Sequence, residues 1–177
     1  MLSIPSMAQD APYLRAGNTE VGAFAGGSYG ADSWRAMGGG NVAVAVNRYL
    51  MPYGEVSYFP GIGRERNIGG VVTRFSVPLT DFHGGIHLRI SGGQSPVVPY
   101  LVAGVGGVRI GDYSITVDNR RIPVPGETKA AVNFGGGLRY YVNEVFGVRA
   151  EFKVYKPSGT LSDPFYKATV GFFFQIR

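Results

Sequence analysis

Between residues 144 and 155 the sequence EVFGVRAEFKVY alternates with period two. Phe146, Val148, Ala150, Phe152 and Val154 fall on one side, and Gly147, Arg149, Glu151, Lys153 and Tyr155 on the other. This is the parity of a β-strand with one apolar and one charged face. Consecutive charges exclude the second face from a dry sandwich core, and the run of apolar residues keeps the first out of open water. Two environments satisfy both: a half-solvated antiparallel sheet, or a barrel with lipid outside and a polar interior.

The same reading, carried along the chain, predicts eight strands. Residues 20–28 form a first, Gly/Ala-rich strand, with Glu20, Gly22, Phe24 and Gly26 inward and Val21, Ala23 and Ala25 outward. Residues 29–39, with Trp34, read as a long connection. In the second strand (41–47), Val42, Val44 and Val46 oppose Asn41, Ala43, Ala45 and Asn47. In the third (53–59), Tyr53, Glu55 and Ser57 point in, and Val56 and Tyr58 out. Residues 60–80 read as a hairpin tip beyond the sheet, broken near Pro78 because the parity of Phe75, Val77 and Leu79 is out of step with the next strand. That fourth strand (81–90) turns Asp81, His83, His87 and Arg89 inward and Phe82, Ile86, Leu88 and Ile90 outward. A tight turn at 91–96 leads into the fifth (97–110), where Tyr100, Val102, Val108 and Ile110 are set opposite Gly107 and Arg109, with Arg109 placed inside. The sixth (129–142) puts Asn133, Gly135, Gly137, Arg139 and Tyr141 inside and Val132, Phe134, Leu138 and Tyr140 outside. The stretch at 144–155 is the seventh. The eighth (165–176) has Lys167, Thr169 and Gln175 inside and Tyr166, Val170, Phe172, Phe174 and Ile176 outside.

Predicted connections alternate long and short, which places short turns at one barrel end and long loops at the other, as in membrane barrels. The twelve residues of the seventh strand, at about 3.3 Å each and a tilt of about 40°, span an apolar band of roughly 25 Å. Aromatics gather at strand ends: Tyr49, Tyr100, Tyr140, Phe146 and Phe172 toward the short turns, and Tyr29, Tyr58, Phe75, Tyr155 and Tyr166 toward the long loops. Two interfacial girdles are expected. On this register Phe152→Arg should be costly and Lys153→Gln mild.

Composition agrees with an all-β chain: 28 Gly, 11 Tyr and 11 Phe among 177 residues, and no helical periodicity of useful length. The uncharged window at 90–108 is interrupted by Gly and Pro, so it reads as a turn feeding a strand. The absence of cysteine rules out disulfides and thiolate metal sites. A net charge of +5 sounds basic, yet Arg35, Arg64, Arg66, Arg120, Arg121, Lys129 and Lys156 in the loops are nearly matched by Asp32, Glu65, Asp112, Asp118, Glu127 and Asp163. No nucleic-acid surface is expected. Ser6, Met7 and Ala8 form a small-x-small site before Gln9, so residues 1–19 are read as a tail holding the remnant of an export signal, and 20–177 as the barrel.

The segments PYLVAGVGGVRI, FGGGLRYYVNEVFGVRAEFKVY and FYKATVGFFFQI resemble the small outer-membrane β-barrel family of the OmpA and OmpX type. The resemblance implies an all-β, eight-stranded antiparallel up-and-down transmembrane barrel in the outer membrane. It further implies a last strand read by the barrel-assembly machinery through Thr169, Gly171, Phe174 and Ile176. Chains of this family usually end on an aromatic residue, whereas this one ends Ile176-Arg177.

Chemistry is sparse. His83 and His87 share a face but lie about 13 Å apart along a strand, too far to bind one metal ion at about 2.1 Å. Neither has the serine two residues on that barrel deacylases carry. The glycine runs at 38–40 and 135–137 open no helix and read as relief of lumen crowding, not as phosphate cradles. No catalytic residue, cofactor or metal is expected. The predicted lumen is plugged by Glu20, Glu55 and Glu151 with Arg89, Arg109, Arg139, Arg149, Lys153 and Lys167, Asp81 being a further acid, with pairing centred on Glu55 and Glu151. The expected protein is a monomeric, non-enzymatic outer-membrane barrel in contact with lipid, with a structural or surface-interaction role and an unnamed extracellular partner for its loops. The alternatives are a soluble periplasmic or secreted lipocalin/avidin-like barrel binding a small ligand and, less favoured, a lipid-modifying barrel enzyme.

Overall fold

A computed structural model describes residues 12–30, 33–60, 64–68, 71–75, 77–90, 95–117, 120–158 and 164–176. The strands are β1 (Thr19–Gly30), β2 (Ser33–Val44), β3 (Leu50–Phe59), β4 (Arg64–Ile68), β5 (Val71–Phe75), β6 (Leu79–Arg89), β7 (Val97–Ile110), β8 (Tyr113–Val117), β9 (Arg120–Val124), β10 (Glu127–Tyr141), β11 (Phe146–Pro157) and β12 (Phe165–Ile176). Eight of them close an antiparallel barrel in the order β1-β12-β11-β10-β7-β6-β3-β2. The seam runs from Thr19↔Ile176 to Tyr29↔Tyr166, so the barrel has no open sheet edge along it. The other four form a separate sheet, β4-β5-β8-β9, from two hairpins that extend the β3–β6 and β7–β10 connections. One bridge, Arg74↔Thr116, joins the hairpins.

Alternation decides which way each strand faces. Along β11, Arg149, Glu151 and Lys153 are buried while Val148, Ala150 and Phe152 are exposed. The pattern recurs around the wall: Phe134 is 57% and Val170 66% exposed, whereas Arg139 is 0% and Glu20 1% exposed. Large apolar side chains outside and charges inside invert the distribution that a soluble lipocalin-like barrel requires.

The turns after β2 and after β10 use one device. Asn47 Oδ1 accepts from the Tyr49 and Leu50 amides at 2.7 and 2.8 Å, and Asn143 Oδ1 accepts from Val145 and Phe146, both at 2.8 Å. Each asparagine thereby supplies the acceptor that fixes the chain reversal.

Several expectations are corrected. No long connection separates the first two strands: β1 runs to Gly30, β2 starts at Ser33, and Trp34 stands on the outer face of β2. The stretch lacks β-branched residues, and its strand form comes from pairing with β1, which reaches Gly30↔Ser33. The fifth barrel strand, β7, is inverted. Val98, Tyr100, Val102 and Val108 face inward, and Arg109 is exposed on the outside. Its register requires this, because Asp81 pairs with Val108 and Arg89 with Tyr100 across β6, and directly opposed residues share a face. Tyr100 therefore belongs to the lumen and not to a girdle, and so does Tyr155, which shares the buried parity of Arg149, Glu151 and Lys153 on β11. The window at 90–108 contributes to β7, with no helix. Ser6, Met7 and Ala8 lie outside the described residues.

Residues 12–18 pack against the short-turn end. Pro12–Leu14 make a 3-10 turn, and Leu14 is 1% exposed in a cluster with Val98, Tyr141 and Phe173. Tyr13 stacks on Tyr141 at 4.5 Å, and Gln175 Nε2 donates to the Tyr13 carbonyl at 2.9 Å. Gly17, at φ +86°, takes the left-handed conformation, and its amide reaches the Ala45 carbonyl at 2.7 Å. This strap stoppers the barrel end. Leu14→Asp is expected to undock it, because the carboxylate would enter an apolar cluster. Trypsin should then cleave after Arg15 several-fold faster than in the wild type, with the barrel still resistant; equal cleavage rates would contradict the docking.

Candidate functional site

The lumen holds the densest chemistry. Its glycines make room for its rings: a Cβ on Gly137 would stand 2.7 Å from the Tyr100 ring, one on Gly104 2.6 Å from Tyr53 Oη, and one on Gly39 2.6 Å from the Phe24 ring. Relief of crowding thus accounts for Gly39 and Gly137 within the two glycine runs.

Glu55 is the hub. Lys153 Nζ donates to it at 2.9 Å and Lys167 Nζ at 2.6 Å, with Arg149 Nη2 at 3.8 Å. Lys153 also reaches Glu151 Oε1 at 2.7 Å, and Glu151 Oε2 accepts from Tyr100 Oη at 2.7 Å. Lys167 donates as well to Ser57 Oγ at 2.5 Å and Asp81 Oδ2 at 3.3 Å. Toward the strap, Glu20 accepts from Arg139 Nε at 3.0 Å and Tyr141 Oη at 2.7 Å. Arg139 Nη2 lies 2.6 Å from His87 Nδ1. A guanidinium can only donate, so Nδ1 accepts and His87 is the neutral Nε2–H tautomer. Its ring is stacked 4.2 Å from Tyr53. Arg89 is engaged by main chain, donating to the Asn47 carbonyl at 2.5 Å and the Leu14 carbonyl at 3.4 Å.

The structure thus brings Glu55, Lys153, Lys167, Glu151 and Arg149 together, and separately Glu20 with Arg139. Arg109 is in neither group. Tyr100 and Ser57 complete the network; Tyr100 escapes sequence reasoning because β7 is apolar on both faces and carries no parity signal. His83 is 3.7 Å from Asp81 and His87 3.7 Å from Glu151, so the two histidines serve different partners. In β12, Thr169 points into the lumen while Phe174 and Ile176 face out, with Gly171 between.

The second candidate is the hairpin sheet. Its strands contain Arg64, Arg66, Arg74, Arg120 and Arg121 against a single acid, Glu65. Cross-strand pairing sets Glu65 beside Arg74, Arg74 beside Thr116 and Thr116 beside Arg121.

No family model matches the chain, and no curated protein matches it by sequence. Solved structures match it by shape. A major outer membrane protein from Thermus thermophilus is 11% identical at a TM-score of 0.70, covering 92% of this chain and 100% of that one. Neisserial surface protein A is 13% identical at 0.63, covering 90% and 96%. The attachment invasion locus protein Ail of Yersinia pestis, solved in complex with the heparin analogue sucrose octasulfate, is 14% identical at 0.62, covering 91% and 99%. By fold, this chain is a small eight-stranded antiparallel β-barrel of the kind solved for bacterial outer-membrane proteins.

Proposed function

We propose that this chain is a monomeric outer-membrane barrel that holds its hairpin sheet outside the cell as a surface-interaction element. The observation that carries this reading is the inversion of the wall, with apolar side chains all round the outside and a filled, charged lumen inside. Lipid covers Phe134, Phe152 and Val170. Tyr29, Trp34, Tyr58 and Tyr166 mark one interface and Tyr49, Tyr140, Phe146 and Phe172 the other. The strap and short turns face the periplasm, and the barrel-assembly machinery reads Thr169, Gly171, Phe174 and Ile176.

The arginine excess of the hairpin sheet favours a sulfated polysaccharide as its partner; Ail, similar in fold, was solved with a small heparin analogue, sucrose octasulfate. The role is non-enzymatic: the contact of Ser57 with Lys167, nearest among the described residues to a nucleophile with its base, is sealed at 0% and 1% exposure. In nanodiscs, the wild type should bind immobilised sulfated polysaccharide at moderate salt. A variant with all five hairpin arginines changed to Gln should not; equal retention would sink the partner class. Recovery of the protein from the soluble periplasm without detergent would overturn the membrane reading itself.

A further inference from the structure

On neighbouring strands, Arg139 and Arg149 are direct Cα partners, and both point into the lumen. Like charges placed opposite one another destabilise a sheet. Arg139 is anchored by Glu20 and His87. Arg149 is not: its side chain is 2% exposed, yet none of its three guanidinium nitrogens has a hydrogen-bond partner among the described residues. Its nearest carboxylate, Glu55 at 3.8 Å, already accepts from two lysines. The Phe24 ring, 5.2 Å from its guanidinium carbon, offers only a face.

Orphaned donors accumulate around the pair. Arg139 Nη1 and Arg89 Nε and Nη1 are also buried without partners. Among the described buried residues, Arg89, Arg139, Arg149, Lys153 and Lys167 face Glu20, Glu55, Asp81 and Glu151, one cation too many. A neutral acceptor would satisfy the donors and leave the charge; an anion answers both.

We propose that the lumen binds one small monovalent anion of the halide class at the Arg139–Arg149 pair. The anion accepts from Arg149 and from the free Nη1 of Arg139, and relieves the repulsion across the two strands. The single surplus cation sets the charge of the ion at one, and the near-complete burial of both arginines favours a small one.

The test uses the full chain folded in detergent micelles, with sodium gluconate replaced stepwise by sodium bromide at constant ionic strength. An ion that binds only the folded state raises Tm by mass action, so the wild type should gain a few degrees and then saturate. Arg149→Met keeps the bulk and removes the charge. It should show no bromide response and should be at least as stable as the wild type in gluconate. Equal wild-type Tm in both salts would make a neutral acceptor the true partner and overturn the proposal, as would a bromide response surviving in Arg149→Met. Should that variant not fold, bromide anomalous scattering from wild-type crystals decides: a peak against the Arg149 guanidinium supports the site, and its absence removes it.

Discussion

Glu55→Gln is expected to lower the unfolding free energy by about 3–5 kcal/mol, the range for stripping one partner from a buried ion pair. Glu55 is 4% exposed and accepts from Lys153 and Lys167, with Arg149 close by. The isosteric amide keeps the shape and withdraws the charge. Lys153 retains Glu151 and Lys167 retains Asp81, but three cations then share the two remaining acids of that region. The matched control is Glu127→Gln. Glu127 pairs with Lys129 at the surface, where its side chain is 60% exposed, and such a pair contributes at most about 1 kcal/mol. Urea unfolding of both variants in lipid bilayers makes the comparison. A loss for Glu55→Gln no larger than for Glu127→Gln would show that the lumen network contributes little.

Phe152→Arg should cost about 2–4 kcal/mol, because it places a charge on the lipid face toward mid-depth of β11. Phe152 is 51% exposed on the outer wall, and its ring lies 6.1 Å from that of Tyr166. Parity alone makes the neighbouring Lys153→Gln mild; the structure revises that. Lys153 is 1% exposed and bridges Glu55 and Glu151; its loss takes from Glu151 its lysine and leaves Glu55 to Lys167, so it should cost a comparable amount. The distinguishing measurement is the host phase. In detergent micelles, which deform around a surface charge, Phe152→Arg should recover much of its deficit, while Lys153→Gln should not. Identical behaviour of the two variants in both phases would contradict the assigned faces.

Much of this was legible in the residues. Where a strand carries charge on one side only, as at Arg149, Glu151 and Lys153 or at Asp81, His83, His87 and Arg89, parity reports the lumen directly. It fails where both faces are apolar. Nothing local in VVPYLVAGVGGVRI distinguishes the side of Tyr100 from that of Leu101, and the register against β6 settles the matter. The lone Arg109 near the end of that strand then misleads, because a charge close to the membrane surface tolerates either face. The extent of β1 and β2 was hidden for another reason: small residues have weak strand preference, and they become a ladder only once each strand has the other to pair with.

The seam between β1 and β12 also sets the order in which the barrel can fold. Every other pairing in the barrel joins strands adjacent in the chain or separated only by their own hairpin, so each needs only local loop closure. Thr19↔Ile176 spans almost the whole described chain and carries the loop-closure entropy of everything between. Contacts of such separation form late and slowly. Until they form, the β1 and β12 edges remain unpaired, with a glycine-rich strand on one side and an aromatic-rich one on the other. The aromatic edge is the better template for an incoming strand, so the open-barrel intermediate has a preferred side from which another chain, helpful or harmful, can add.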